Sequence, residues 1–199
     1  IKIFGSDGFK ISSETEDEIE RLVLDTDMEP MLVDGGAIGR TKRIDDAAGR
    51  YIVDIKNTFP LDYTLEGLRV VLDCANGAAY KVAPAVFEEL GAEVFLLGVQ
   101  PNGFNVNDKS GALYPVKMTE AVEKYRADVG VSLDGDADRV IMADELGRVI
   151  NGDHILAMAA IHLKEQGKLP KNTIVATHMS NFALDKLMGE HGIQVIRTD

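Results

Sequence analysis

Apolar residues recur along the chain with two alternating periods. Residues 68–74 (Leu-Arg-Val-Val-Leu-Asp-Cys) form a near-continuous apolar run of strand length, the pattern of a strand buried on both faces. Asn76-Gly77 makes a turn, residues 80–90 switch to helical spacing, Gly91 supplies a C-terminal stop, and residues 93–97 return to a strand pattern. Strand, turn, helix, strand in this order predicts a βαβ unit and so a parallel sheet. A loop is expected over 101–111, a helix over 116–126 and a third strand over 129–133. Residues 139–143 and 148–150 flank Asp144-Glu145-Leu146-Gly147 and predict a hairpin.

The pattern then repeats in outline. A helix is expected over 153–165, a strand over 173–176, a helix over 181–190 and a strand over 194–197. Both halves run strand, Asn-containing turn, helix, glycine stop, strand, which implies two related α/β units with the second cut short. Upstream, residues 2–10 read as a strand with a Gly-Ser-Asp-Gly turn. Ser12-Ser13-Glu14-Thr15-Glu16 precedes a helical pattern with Ile19, Leu22 and Val23 on one face, residues 29–43 read as loop, and helical character resumes over 45–57. The chain starts at Ile1 and stops at Asp199 directly after a strand run, so both ends read as cut.

Composition narrows the function classes. At 45% hydrophobic residues a packed core is expected. A net charge of -12 argues against nucleic acid as a partner, because neutralising phosphates needs clustered Lys and Arg. The single cysteine excludes an internal disulfide and fits a reducing cytoplasm. No apolar run reaches bilayer length, so no membrane span is expected.

The chemistry concentrates in Asp134-Gly135-Asp136-Ala137-Asp138-Arg139, at the end of the third strand. Carboxylates at alternating positions, separated by small residues, can converge on one ion, and three of them repel one another unless a cation offsets the charge. Hard oxygen donors suit Mg²⁺ or Ca²⁺ better than zinc or copper. The C-terminal end of a parallel strand is also where open α/β sheets place ligands. A solvated acidic turn is the plain alternative. An EF-hand fails, since its sixth position needs glycine and holds Arg139, and strands rather than helices flank the loop. A haloacid-dehalogenase-type phosphatase would follow its Asp-x-Asp with a Gly-Thr-like turn, from which Ala137-Asp138-Arg139 departs. Arg139 is either a charge balancer or a bidentate grip for phosphate beside the ion.

The whole hexapeptide resembles the metal loop of the α-D-phosphohexomutase superfamily. Ile1–Lys10, Asp73–Lys81, Leu90–Val94 and Pro101–Asn107 are most similar to its bacterial phosphoglucosamine mutase branch. The resemblance implies tandem related three-layer α/β domains with mixed, mainly parallel sheets, truncated at both ends. Residues 1–44 would be the tail of domain 1, 45–148 domain 2 and 149–199 the opening of domain 3. It implies Mg²⁺ held by Asp134, Asp136 and Asp138, and a phosphoserine that converts glucosamine 6-phosphate to glucosamine 1-phosphate through a bisphosphate. Arg139 and Lys2 are its implied catalytic residues, and Thr198 an implied substrate contact. It also implies a cytoplasmic enzyme of amino-sugar metabolism that feeds UDP-N-acetylglucosamine synthesis, with room for a homodimer. The family's Ser-His-Asn-Pro loop is absent from the chain, so an inactive piece is expected. Phosphomannomutase/phosphoglucomutase relatives and a non-catalytic metal-binding module are the alternatives.

Other residues carry plainer readings. His154, His162 and His191 read as surface or packing residues, and His178 as a strand-end residue with a structural role ahead of a substrate one. Cys74 reads as a small core residue. Asn76-Gly77 reads as a turn ahead of a phosphate site at the following helix.

Overall fold

The central strand β1 (Arg69–Asp73) explains the chain's most apolar run. Val70, Leu72 and Cys74 pack towards helix α3 (Val82–Glu89), among Tyr80, Ala83 and Phe87. Val71 packs towards α4 (Val116–Tyr125), against Met118, Ala121 and Val122. With successive side chains on opposite faces and both faces covered, every position after the first must be buried, which the sequence satisfies. Each large apolar side chain so buried contributes about 1.5–3 kcal/mol.

β1 pairs in parallel with β2 (Glu93–Leu97) and with β3 (Val129–Leu133), with Val71 opposite both Phe95 and Gly130. β4 (Val140–Ala143) adds antiparallel to β3, and β5 (Val149–Ile150) to β4, giving the order β2-β1-β3-β4-β5. The expected βαβ unit and hairpin are both present. The chain leaves β1 towards β2 on one side and reaches β3 on the other, so the C-terminal ends of β1 and β3 form a topological switch point.

Helix α5 (Gly152–Glu165), strand β6 (Thr173–Thr177), helix α6 (Phe182–Glu190) and strand β7 (Gln194–Thr198) follow, with β6 and β7 parallel. Their core is Ala157, Ala160, Ala176, Leu184, Met188 and Ile193. Asn151 and Asn181 cap the two helices, their side-chain oxygens accepting from the His154 and Ala183 N–H groups at 3.2 and 2.8 Å. Arg197 ties β7 to α6, pairing with Asp185 and donating to the Ser180 carbonyl at 2.7 Å.

This computed structural model describes all residues except Ile1, Lys2 and Met28, and it divides into two units, Ile1–Ile44 and Asp45–Asp199. In the first unit α1 (Ser13–Asp25) carries the expected apolar face and begins within the polar run thought to precede it, the Ser12 hydroxyl accepting from the Thr15 N–H at 3.3 Å. Among the described residues, the strand expected over 2–10 is reduced to one bridge, Phe4 to Lys10. The Asp7 carboxylate accepts the Phe9 N–H at 3.0 Å and Gly5 donates to the Phe9 carbonyl at 2.8 Å, so the chain turns back at once. None of the described residues of this unit is buried. Helix α2 (Ala47–Asn57) begins the second unit two residues later than its pattern suggests. Asp46 directs its carboxylate to Arg50 at 2.7 Å instead of capping the helix backbone.

Cys74 is fully buried, and burial, with the neighbouring Asp73 charge, pushes its thiol up to about 12. The native protein is therefore expected to leave Cys74 unlabelled by a thiol-disulfide reagent at pH 8, and to label it fully in denaturant. Rapid labelling without denaturant would show that the β1–α3 core opens.

Candidate metal centre

Residues 134–139 connect the antiparallel strands β3 and β4. The loop is organised around the Asp134 side chain, which is fully buried. Its Oδ1 accepts the backbone N–H groups of Asp138 and Arg139, both at 3.1 Å. Its Oδ2 accepts Nε and Nη2 of Arg139 at 3.0 and 2.9 Å, a two-pronged ion pair. The Asp134 N–H donates to the Arg139 carbonyl at 3.2 Å, and Ala137 turns the chain with φ 60°. Burial pushes the Asp134 carboxyl up, but the hydrogen bonds and charge of Arg139 outweigh it and hold the group below the usual carboxylate range. Asp134 is thus ionised at neutral pH.

One carboxylate oxygen each from Asp134, Asp136 and Asp138 can be taken so that all lie within 4.8 Å of one another, with Asp136 and Asp138 exposed. Oxygens around Mg²⁺ at about 2.0–2.1 Å lie at most roughly 4.2 Å apart, so a small side-chain adjustment closes the set. The donors are all hard oxygens and carry three negative charges, with Arg139 also 3.7 Å from Asp138. That donor set fits a hard divalent cation and suits neither zinc nor copper. Among the described residues no histidine joins it.

Two neighbouring loops hold the acidic loop in place. The Ala78 N–H donates to the Gly135 carbonyl at 2.8 Å, and Gly77 lies so close that a β-carbon there would fall 2.2 Å from the same oxygen. On the other side, a β-carbon on Gly135 would fall 2.6 Å from Val106 Cγ1 and 2.9 Å from Asn107 Nδ2. Asn107 is itself anchored, donating its N–H to the Ala75 carbonyl at 2.9 Å with φ 59°. Buried Asp73 joins the scaffold, its carboxylate accepting from the Ala75 and Gly111 N–H groups at 2.9 and 2.7 Å. The turn after β1, the acidic loop after β3 and the loop between β2 and α4 thus meet beyond the C-terminal ends of β1 and β3.

The residues singled out in the sequence are not all brought together. Asp134, Asp136, Asp138 and Arg139 share one loop. Thr198 is an exposed residue at the end of β7, beside Thr177 in the other sheet. Lys2 lies outside the described residues. His154 and His162 bond the side chains of Asn151 and Gln166, which flank α5, at 2.8 Å each, and exposed His178 is 3.5 Å from Asp199. Asn76-Gly77 is a turn, and the Asn76 side-chain oxygen already accepts the Gln100 N–H at 3.0 Å. Gly77, Asn107 and Asp73 went unread as parts of the site, and Gly135 was read only as a small spacer between its carboxylates. For the two glycines the only signal is small size next to polar turn residues.

Two family models match the chain. The α/β/α domain II model of phosphoglucomutase/phosphomannomutase matches residues 49–147, and the domain III model residues 151–199. The chain belongs to the phosphoglucomutase/phosphomannomutase family. A protein named phosphoglucosamine mutase from Bdellovibrio bacteriovorus is 65% identical over 198 residues, covering 100% of this chain and 43% of the relative. One of the same name from Pelobacter propionicus is 52% identical over 198 residues, again covering 100% of this chain and 44% of the relative. The chain therefore spans less than half the length of these relatives. Among solved structures, a phosphoglucomutase/phosphomannomutase family protein from Burkholderia thailandensis superimposes with a TM-score of 0.67 at 22% identity, over 94% of this chain and 38% of that one. A phosphomannomutase-like protein from Thermus thermophilus gives a TM-score of 0.66 at 21% identity, over 96% of this chain and 43% of that one. These structural matches agree with the mixed, mainly parallel α/β architecture described above. No helix among the described residues is long and apolar enough to cross a membrane.

Proposed function

We propose that the complete protein is a phosphoglucosamine mutase, interconverting glucosamine 6-phosphate and glucosamine 1-phosphate through a phosphoserine and a bisphosphate intermediate. The observation that carries the chemistry is the convergence of three carboxylates beside one guanidinium at the switch point of the sheet. The choice of sugar follows the relatives named phosphoglucosamine mutase, which match the whole chain at 52–65% identity.

In this reading Asp134, Asp136 and Asp138 hold Mg²⁺. When bound, the ion neutralises charge on the transferring phosphoryl group. Asp134 supplies a ligand that stays ionised at neutral pH. Arg139 supplies a planar donor fork suited to phosphoryl oxygens, and a positive charge near the reacting group. The serine comes from a segment outside the chain. Lys2 assists the transfer and Thr198 contacts the sugar phosphate. We assign residues 1–44 to the end of domain 1, 45–148 to domain 2 and 149–199 to the start of domain 3. A cytoplasmic enzyme of amino-sugar metabolism, a homodimer that binds neither nucleic acid nor membrane, completes the proposal.

The full-length protein with Mg²⁺ is expected to convert glucosamine 6-phosphate to glucosamine 1-phosphate, followed by phosphorus NMR, and to stop when a chelator is added. Release of inorganic phosphate without the 1-phosphate would indicate a phosphatase instead. Faster turnover of mannose or glucose 6-phosphate would move the protein to the phosphomannomutase/phosphoglucomutase branch.

A further inference from the structure

We infer that the Arg139–Asp134 ion pair is a latch that cation loading must open, so that filling the site releases Arg139 towards the phosphoryl group. The inference rests on the reading that Asp134, Asp136 and Asp138 hold a divalent cation.

The two oxygens of Asp134 have different duties. Oδ1 accepts two backbone N–H groups of its own loop, Asp138 and Arg139, and those bonds shape the turn. Withdrawing Oδ1 would leave both donors without their acceptor and unmake the turn. Oδ2 bonds no backbone group, so it is the oxygen that a cation can recruit. In this structure Arg139 Nε and Nη2 hold it at 3.0 and 2.9 Å.

A guanidinium carries only donors and is always charged. It and a dication on one carboxylate oxygen would sit a few ångströms apart and repel. The two therefore compete for Oδ2, and a cation seated there loosens the guanidinium's hold. The Arg139 side chain is 59% exposed, so it can swing away without dismantling any core.

The exchange leaves Asp134 with a positive partner throughout. It also orders events. Arg139 is free to grip a phosphoryl oxygen only after the cation has taken its place on Asp134. Cation and phosphoryl group then both favour the open latch, and each tightens binding of the other.

The test uses the full-length protein and Mg²⁺ alone, with calorimetric titration and NMR of the arginine Nε–H groups. D136N and D138N are expected to lose cation binding, which tests the metal site itself. R139K and R139A are expected to bind Mg²⁺ more tightly than the parent, by about 5- to 50-fold. R139K keeps the positive charge but lacks the fork, so its tightening reports the latch and not simple charge removal. In the parent, the Arg139 Nε–H is expected to be protected without cation and to exchange freely with it. If D136N and D138N abolish binding while R139K titrates like the parent, or the Nε–H stays protected under saturating Mg²⁺, the latch is wrong and the metal site stands. If D136N and D138N bind Mg²⁺ like the parent, the metal site is wrong and the latch falls with it. Should R139A not fold, R139K and the parent NMR decide the matter.

Discussion

Asp134→Asn is expected to lower cation affinity at least about 100-fold and turnover by about 100- to 1000-fold. The substitution is nearly isosteric, so the effect comes from charge and from hydrogen-bond polarity. If the Asn oxygen keeps the two backbone donors, its amide N–H₂ faces Arg139, donor against donor. If it flips, the N–H₂ group faces the Asp138 and Arg139 amides instead. Each arrangement leaves donors without an acceptor in a buried place, at a cost of about 1–3 kcal/mol. Asp134→Asn should therefore also lower the melting temperature of the cation-free protein. Acid should act in the same direction. The Asp134 carboxyl is held below its usual range, so its contribution to stability is complete above that range and fades as pH falls through the depressed value. A melting temperature unchanged by the substitution, with cation affinity retained, would remove Asp134 from the site.

Most of the secondary structure was legible because the two apolar periods are well separated. β1 reads as a strand because both of its faces are covered, and β3 was delimited to the residue. The acidic loop was legible because alternating carboxylates with small spacers have few other uses. Hidden from the sequence were contacts between loops distant along the chain. Nothing near Gly77 marks it as the neighbour of Gly135, and nothing near Asn107 marks it as the opposite wall. The direction of Arg139 was open too, since a guanidinium beside carboxylates can turn inward to them or outward to a phosphate. Here it turns inward. The opening residues misled in another way. The Gly-Ser-Asp-Gly turn was read correctly, with the Asp7 side chain bonding a backbone N–H two residues on, but among the described residues the strand around it shrinks to the Phe4–Lys10 bridge.

Gly77→Ala tests whether the loop's position, and not only its carboxylates, makes the site. Gly77 has φ −99° and ψ −162°, a backbone conformation open to any residue, so alanine pays no conformational penalty. The obstacle is steric. A β-carbon would fall 2.2 Å from the Gly135 oxygen, 2.6 Å from its Cα and 2.7 Å from its carbonyl carbon. These are backbone atoms, so no side chain can rotate out of the way. Relief requires moving residues 134–136 or the Gly77 turn, and either stretches the 2.8 Å bond from the Ala78 N–H to the Gly135 carbonyl. Gly135 has little room to shift, since Val106 and Asn107 already crowd the place where a β-carbon on it would stand. The expected cost is about 1–3 kcal/mol of stability. Displacing the carboxylates by about an ångström should lower turnover by about 100-fold. Gly189→Ala is the control. Gly189 lies within α6 with nothing inside 4 Å of its added β-carbon, so alanine there should be neutral or stabilise by about 0.5–1 kcal/mol. Equal melting temperatures and cation affinities for Gly77→Ala and the parent would mean that the two loops do not depend on each other's position.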